Sequence, residues 1–287
     1  MFRPKELFIG LRYTRAKRRN GFVSFIAMIS MMGIALGVAA LIVVLSVMNG
    51  FGEELRQRTL SMTAHATITG HDGYLTDWRQ IQSEISPHKN IIDSAPYTQN
   101  EAMLTNSRRV SGAIIRGLLP GEEPKVSDVN QKMISGSIND LKAGSFGIIL
   151  GRELANVLGV YEGEKITVIT PQASITPVGV LPRLKRFTVV GIFEAGMHQF
   201  DRSMAFMHIE DAQKLFGLNN KVNGLRLKLD NMFNARLITY ELDQMVGEDY
   251  WVRDWTRMHT NLFKALKTEK VVMFIILFLI DLLYNSL

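Results

Sequence analysis

Residues with catalytic side chains are few and scattered in this sequence. His198 and Asp201 lie three residues apart in a turn-like stretch, where they form either an acid–base pair or, by default, a hydrogen-bonded loop pair. His65 and His71 are too isolated to indicate a zinc site, and the absence of cysteine excludes thiol catalysis and Cys-based metal sites. Because nucleotide-binding and hydrolase motifs are also absent, the sequence predicts a protein with no catalytic residues, no metal and no cofactor.

A different chemistry, recognition of another protein, is indicated by the proline-rich segment 171–186, which lies between the strand-like runs Ile166–Thr170 and Phe187–Phe193. Proline lacks a backbone N–H, so the segment cannot be an interior strand and is predicted to be a stiff loop projecting from a hairpin. A loop packed on its own domain is one interpretation. A docking arm is the sharper one, since exposed apolar residues on a rigid protrusion mark binding sites. The residues predicted to bind are Pro171, Ile175, Pro177, Val178, Gly179, Leu181, Pro182, Lys185 and Arg186.

An uncharged apolar run from Phe22 to Met48 is predicted to anchor the chain, with its proline-rich segment, to a membrane. It exceeds the roughly 20 residues that cross a bilayer, and no cleavage signature follows it, so it is predicted to be retained. Seven basic residues and only one acid, Glu6, precede the run. The positive-inside rule therefore predicts a cytoplasmic basic arm at residues 1–21, transmembrane helix 1 at 22–48, and a domain on the far side at 49–270.

The charge distribution also excludes nucleic acid as a partner. The formal net charge of +6 is confined to the N-terminal arm, and the remaining chain is balanced between acids and bases. An electrically neutral domain lacks the basic surface that binds phosphates.

The pattern of residues 49–270 predicts an α+β domain made of two β-α-β halves that bracket an inserted β-rich subdomain. The halves are strand Ala64–Thr69, helix Leu75–Ile85 and strand Ile91–Ala95, and then strand Gly224–Leu229, helix Phe233–Met245 and strand Tyr250–Trp255. The insert is predicted to contain strand Val110–Leu118, strand Phe146–Leu150, helix Arg152–Leu158 ended by Gly159, and strand Ile166–Thr170.

The C-terminal residues predict an incomplete second transmembrane helix at 271–287. The apolar run Val271–Ile280 is half the length of a span, and Asp281 interrupts it. We therefore expect a truncated chain that is incapable of transport alone.

Several stretches resemble the lipoprotein-releasing permeases of the LolC and LolE family, within the MacB/FtsX superfamily. They are Leu7–Tyr13, Gly33–Val38, Leu45–Phe51, Ile148–Ala155, Phe187–Gly191 and Asp254–Arg257. The resemblance implies a MacB-like periplasmic domain on an inner-membrane subunit. Its implied partners are a LolD-like cytoplasmic ATPase, a second LolC/LolE-type permease subunit, the lipoprotein substrate and a LolA-like periplasmic carrier.

The resemblance also gives roles to two sets of residues. Segment 171–186 matches the position and proline pattern of the family's carrier-binding hook, more as in LolC than in LolE, although Thr167 and Leu184 replace larger polar groups beside it. Residues at helical spacing near the outer end of the span are expected to contact lipoprotein acyl chains, with plain lipid contact or helix packing as the alternative. These residues are Val44, Val47, Met48 and Phe51.

Two other functions remain open at this point. One is an FtsX-like regulator of a periplasmic enzyme, which does not need the proline hook. The other is a single-span periplasmic binding module that acts alone. Binding of a carrier to the hook separates the permease from both alternatives.

Overall fold

A long helix precedes the globular part of the chain. The computed structural model describes residues 21–62, 64–107, 109–176, 179–258, 268, 271–276 and 278–279. The chain divides into two units, Met1–Glu54 with Met273–Leu287, and Leu55–Val272. The predicted basic arm lies outside the described residues except for Gly21, and so do residue 277 and residues 280–287 of the predicted second span.

Helix α1 runs from Gly21 to Met62, well past the predicted end of the span at Met48. Its stretch Met28–Met48 has a mean hydropathy of 2.6 and is long and apolar enough to cross a membrane. The described side chains of this stretch are mostly exposed, as expected for a helix whose solvent is lipid. Among the described residues, this is the one helix with these properties.

The described part of Leu55–Val272 contains both helices and strands. The strands are β1 (Ala66–Gly70), β2 (Ile91–Asn106), β3 (Arg109–Leu118), β4 (Met133–Gly136), β5 (Gly147–Gly151), β6 (Lys165–Thr176), β7 (Gly179–Phe193), β8 (Met204–His208), β9 (Gly224–Leu229) and β10 (Tyr250–Asp254). The helices are α2 (Trp78–Ile85), α3 (Glu123–Val126), α4 (Arg152–Leu158), α5 (His198–Ser203), α6 (Ile209–Phe216), α7 (Ala235–Val246) and α8 (Trp255–Met258).

The two β-α-β halves form one layer, as predicted. Its strand order is β10-β1-β9-β2 with every neighbour antiparallel, which is the arrangement of a ferredoxin-like fold. Helices α2 and α7 cover the layer because their apolar residues recur at helical spacing. Trp78, Ile81 and Ile85 of α2 and Ile238 and Leu242 of α7 are buried in the core that these helices share with the strands.

The inserted subdomain is a closed barrel. Strand pairing runs from β2 to β3, β8, β5, β7 and β6 and then returns from β6 to β2. Inward-facing side chains such as Leu104, Ile115, Val168 and Phe187 fill the barrel core, together with residues of α4 and α6. Closure leaves few free edges in the ring, which protects it from pairing with other chains.

Strand β2 belongs to both subdomains. Its first part, from Ile91 to Tyr97, pairs with β9 in the layer, and its second part, from Thr98 to Asn106, pairs with β3 in the barrel. One strand therefore joins the two subdomains by a continuous backbone.

The prediction of a loop at 171–186 is wrong, because strands β6 and β7 continue into this segment. They pair from Ala173 opposite Pro182 to Thr176 opposite Gly179, and the tip, residues 177–178, lies outside the described residues. Proline is tolerated here since in a two-stranded ribbon half of the backbone N–H groups face away from the partner strand. Pro171 also falls within a register shift between Ile169 and Ala173.

Candidate docking site at the arm

The segment 171–186 is a two-stranded ribbon, called the arm below, that extends beyond the barrel wall. The base of β6 pairs with β2 up to Ile169, and β7 pairs with β5 only from Thr188 onward. From Ala173 to Pro182, the described residues of the arm pair only with each other, whereas Leu184–Arg186 pair with Thr167–Ile169 in the barrel part of β6. An isolated two-stranded ribbon is marginally stable in water, so contacts at its base must support it.

An aromatic pair supports the arm on one side. The ring of Phe146 meets the buried ring of Phe187 edge-on, with centroids 5.6 Å apart. The Lys185 Nζ lies 4.1 Å from the centroid of the Phe146 ring, within the range of a cation–π interaction. The contacts of Phe187 with Phe146 and of Phe146 with Lys185 therefore connect the barrel core to the arm.

Phe146 is itself held by a buried carboxylate. Asp211 of α6 accepts hydrogen bonds from the backbone N–H of Gly144 at 2.8 Å and of Phe146 at 3.1 Å. These bonds stabilise the unusual backbone of Phe146, whose φ is +53°. At the other end of α6, the guanidinium of Arg183 lies against Gly217, where a Cβ atom would collide with it. Helix α6 thus fixes both supports of the arm.

The opposite face of the arm base is apolar. Met103, Ile169 and Leu184 are direct cross-strand partners on β2, β6 and β7, so their side chains share one face of the sheet. Met103 is 44% exposed and Leu184 is 61% exposed. Their sequence neighbours on the other face, such as Leu104 and Val168, are fully buried in the barrel.

Among the described residues, three concavities lie around the arm base. One of about 480 Å³ includes Met103, Ile169 and Pro171. Another, of about 750 Å³, lies along Pro182, Arg183, Leu184 and Lys185 beside Phe146 and Lys214. A third, of about 320 Å³, contains Tyr74, Gln172, Gly217 and Lys221. The second concavity is an apolar hollow with cations at its rim, which is suited to binding a protein or lipid ligand.

The predicted arm residues are distributed along this ribbon. Pro171, Pro182, Lys185 and Arg186 are exposed at its base, and Lys185 is also held against Phe146. Backbone pairing places Ile175, Gly179 and Leu181 in the outer part of the ribbon, whereas Pro177 and Val178 lie outside the described residues.

The four residues predicted to contact lipoprotein share helix α1. Val44 and Val47 are exposed, Met48 is half-buried, and Phe51 lies one further turn along the same helix face. Their helical spacing is therefore present in the structure.

The candidate pair His198 and Asp201 lies in the short helix α5 and not in a turn as predicted. The Asp201 carboxylate accepts a hydrogen bond of 2.6 Å from the Ala195 N–H, and burial raises the pKa of this carboxyl. His198 is exposed. The hydrogen bond shown for the Asp201 side chain therefore goes to the backbone before α5 and not to His198, which favours a structural role for Asp201. No cluster of three or more metal-binding side chains occurs within the described residues.

A buried polar seam between the layer and the barrel was not predicted. The Glu123 carboxylate of α3 pairs with Arg226 of β9, and the Ser127 hydroxyl donates a hydrogen bond of 2.7 Å to the same carboxylate. Beside them, Arg116 donates to the side chain of Gln99, and burial lowers the pKa of Arg116 to about 10. Since Glu123 and Arg226 are 103 residues apart, no local sequence pattern could have indicated their pairing.

A barrel inserted into a split ferredoxin-like layer follows a membrane-length helix in the chain. The sequence profile of the MacB-like periplasmic core domain family matches residues 27–243. The helix and this match together make the chain a membrane protein with a MacB-like periplasmic domain.

Curated relatives narrow this class. The lipoprotein-releasing system transmembrane protein LolC of Neisseria meningitidis serogroup B is 50% identical over 276 residues, covering 96% of this chain and 66% of that protein. LolC of Xylella fastidiosa strain Temecula1 is 46% identical over 280 residues, covering 98% and 67%. LolE of Haemophilus influenzae is 29% identical over 282 residues, covering 95% and 66%. The chain belongs to the LolC/LolE family of lipoprotein-releasing system transmembrane proteins and spans about two thirds of the length of these relatives.

Proposed function

We propose that this chain is an inner-membrane permease subunit of an ABC-type complex that releases outer-membrane lipoproteins to a LolA-like periplasmic carrier. Membership of the LolC/LolE family supports this function. The observation that carries it is the arm, a ribbon that leaves the barrel wall and is supported at its base by Lys185 on Phe146. A regulator that binds no carrier has no need of such a protrusion.

The arm is the proposed carrier-binding element. Its exposed prolines limit the conformational entropy that the arm loses on binding. Its hairpin pairing keeps the outer residues aligned, so ordering the arm costs little free energy. Ile175, Pro177, Val178 and Leu181 are the proposed apolar contacts with the rim of the carrier's acyl-binding cavity. Lys185 and Arg186 at the base are proposed to accelerate the encounter.

The remaining partners follow from the same proposal. The chain has no nucleotide-binding motif, so energy for extracting acyl chains comes from a separate LolD-like ATPase on the cytoplasmic side. A second LolC/LolE-type subunit completes the membrane part. The lipoprotein's acyl chains contact Val44, Val47, Met48 and Phe51 of α1, at the periplasmic end of the span.

Replacing residues 172–182 by a short Gly/Ser turn tests the proposal. The substitution removes the outer ribbon and keeps the supports at Arg183 and Lys185, so the domain is expected to stay folded while pull-down of a LolA-like carrier is lost. Tryptophan fluorescence monitors folding, since Trp78, Trp251 and Trp255 all lie in the layer.

A matched control is Leu237→Ser with Tyr240→Ser, which removes exposed apolar side chains from α7, away from the arm. This variant should retain the carrier. Unchanged pull-down by the arm-deleted variant would contradict the proposed function.

A further inference from the structure

The concavity of about 480 Å³ is a groove on the outer wall of the barrel, next to the arm. Its floor is formed by β2, β3 and β6, and it opens because Gly112 has no side chain. A Cβ atom added to Gly112 would meet no other atom within 4 Å. Met103, the direct cross-strand partner of Gly112, forms one wall and is 44% exposed.

The lining of the groove is mainly apolar. Met103, Ile114, Ile169 and Pro171 contribute to it, together with two alanines. The hydroxyls that reach it already have partners, because Ser203 donates to the Gln199 carbonyl at 2.6 Å and Thr170 donates to the Gln172 carbonyl at 3.2 Å. An apolar ligand that enters the groove therefore leaves neither hydroxyl without a hydrogen-bond partner.

The volume of the groove fits one long hydrocarbon chain. An apolar cavity of about 150 Å³ accommodates a six-carbon ring, so 480 Å³ corresponds to roughly 15 to 20 carbons. Each CH₂ of such a chain that leaves water contributes favourably to binding, so even partial burial of the chain is favourable.

The negative charge at the groove favours acyl chains that do not end in a free carboxylate. Glu101 is the single charged residue of the lining, and it is exposed at the rim. Its carboxylate repels the carboxylate of a free fatty acid and does not oppose a chain that ends in an uncharged ester or amide. A lipid-linked acyl chain is thus favoured over a free acid.

We propose that this groove binds one ester- or amide-linked acyl chain and holds it beside the arm during transfer. The inference rests on the proposed function, which supplies acyl chains at the arm. Met103 and Ile169 share their sheet face with Leu184 of the arm base, so the groove is continuous with the surface proposed to meet the carrier.

Photolabelling of the full chain in nanodiscs tests the groove. The probe is a palmitoyl glycerol with a diazirine in the acyl chain, delivered from cyclodextrin in the aqueous phase, and adducts are mapped by mass spectrometry. We expect saturable labelling of residues 101–114, measured relative to labelling of α1. The variant Gly112→Val, which fills the groove with a strand-forming side chain, should reduce this labelling at least tenfold.

Gly121→Val is the matched control, since Gly121 also faces open space and lies outside the groove lining. The Gly121→Val variant should be labelled to the same extent as the unaltered chain. Labelling that does not saturate, or that is unchanged by Gly112→Val, would overturn the proposal and favour a protein partner as the ligand of the groove.

A second probe examines the charge selection. Diazirine-bearing palmitic acid should label the unaltered chain poorly and the Glu101→Gln variant at least fivefold better, whereas equal labelling by acid and glyceride overturns the role of Glu101. Carrier pull-down is measured in parallel. Gly112→Val should still capture the carrier, so failure of the groove and failure of the arm as a docking element give different results.

Discussion

The buried polar seam between the layer and the barrel and the exposed arm base use charged side chains in opposite ways. In the seam, Glu123 and Arg226 are buried with side-chain exposures of 0% and 3%, and each is bonded to the other. At the arm base, Lys185 and Arg186 are exposed, and the apolar residue that precedes them, Leu184, is exposed as well. Removing one partner of the seam pair should therefore destabilise the fold, whereas a cation at the arm base is available for recognition.

The difference has a physical cause. Removing a charge from water costs several kcal/mol, so a buried charge persists only with a bonded partner. An exposed cation needs no such partner, and the aromatic face of Phe146 is enough to orient Lys185. Substitutions in the two regions should consequently change different measurements.

The largest expected effect is on folding and belongs to the seam. Glu123→Ala leaves Arg226 without its buried carboxylate partner and should lower the free energy of unfolding by about 3–5 kcal/mol. Urea unfolding followed by tryptophan fluorescence measures this change. The control Glu248→Ala, at an exposed position, should alter stability by less than about 0.5 kcal/mol. A small effect of Glu123→Ala would mean that the seam is not a stability element.

The next effect is on association and belongs to the arm base. Lys185→Glu with Arg186→Glu should slow binding of the LolA-like carrier by about tenfold at low salt, because exposed charges act mainly on encounter rates. Loss of the Lys185 contact with Phe146 should lower the free energy of unfolding by no more than about 1 kcal/mol. Stopped-flow measurements at two salt concentrations quantify it. Lys89→Glu with Arg236→Glu makes the same change in net charge elsewhere. Equal slowing by both pairs would show that only net charge matters.

The smallest effect concerns a histidine of the layer. The Nδ1 atom of His65 accepts a hydrogen bond from the Leu229 N–H at 3.1 Å, so the ring must be neutral, and burial lowers the pKa of His65. The folded protein then binds fewer protons than the unfolded chain, and stability present above the ordinary histidine pKa is lost as the pH falls.

Unfolding between pH 7.5 and 5.5 tests this linkage. His65→Gln should weaken the pH dependence, because an amide oxygen can accept the same hydrogen bond without titrating. The exposed His198→Gln should preserve it. An unchanged slope in His65→Gln would assign the pH dependence to other groups.

The parts of the fold that depend on neighbouring residues were predictable. Strand Gly224–Leu229 was predicted from its pattern, and helix Arg152–Leu158 from its spacing and from Gly159, which ends it in a left-handed conformation. The arm's location and its prolines were also visible in the sequence. These features follow from local backbone chemistry.

Features that depend on distant partners were not predictable. The sequence did not reveal β8, since Met204–His208 is buried throughout and lacks the alternation of a strand with one exposed face. Closure of the barrel depends on β6 meeting β2, and the seam depends on Glu123 meeting Arg226. The groove at Gly112 is likewise created by the pairing of β2 with β3.

The insertion of the barrel between the halves of the layer has a consequence for the order of folding. Barrel pairs such as β2 with β3 and β6 with β7 join neighbours in the chain, whereas β1 must wait for β9 and β10, with Ala66 opposite Leu227. Closing such a long loop costs entropy that a folded barrel reduces by bringing β2 and β9 together. We expect the first strand synthesised to be among the last to pair, so that the β1 position of the layer stays unpaired until the barrel is complete.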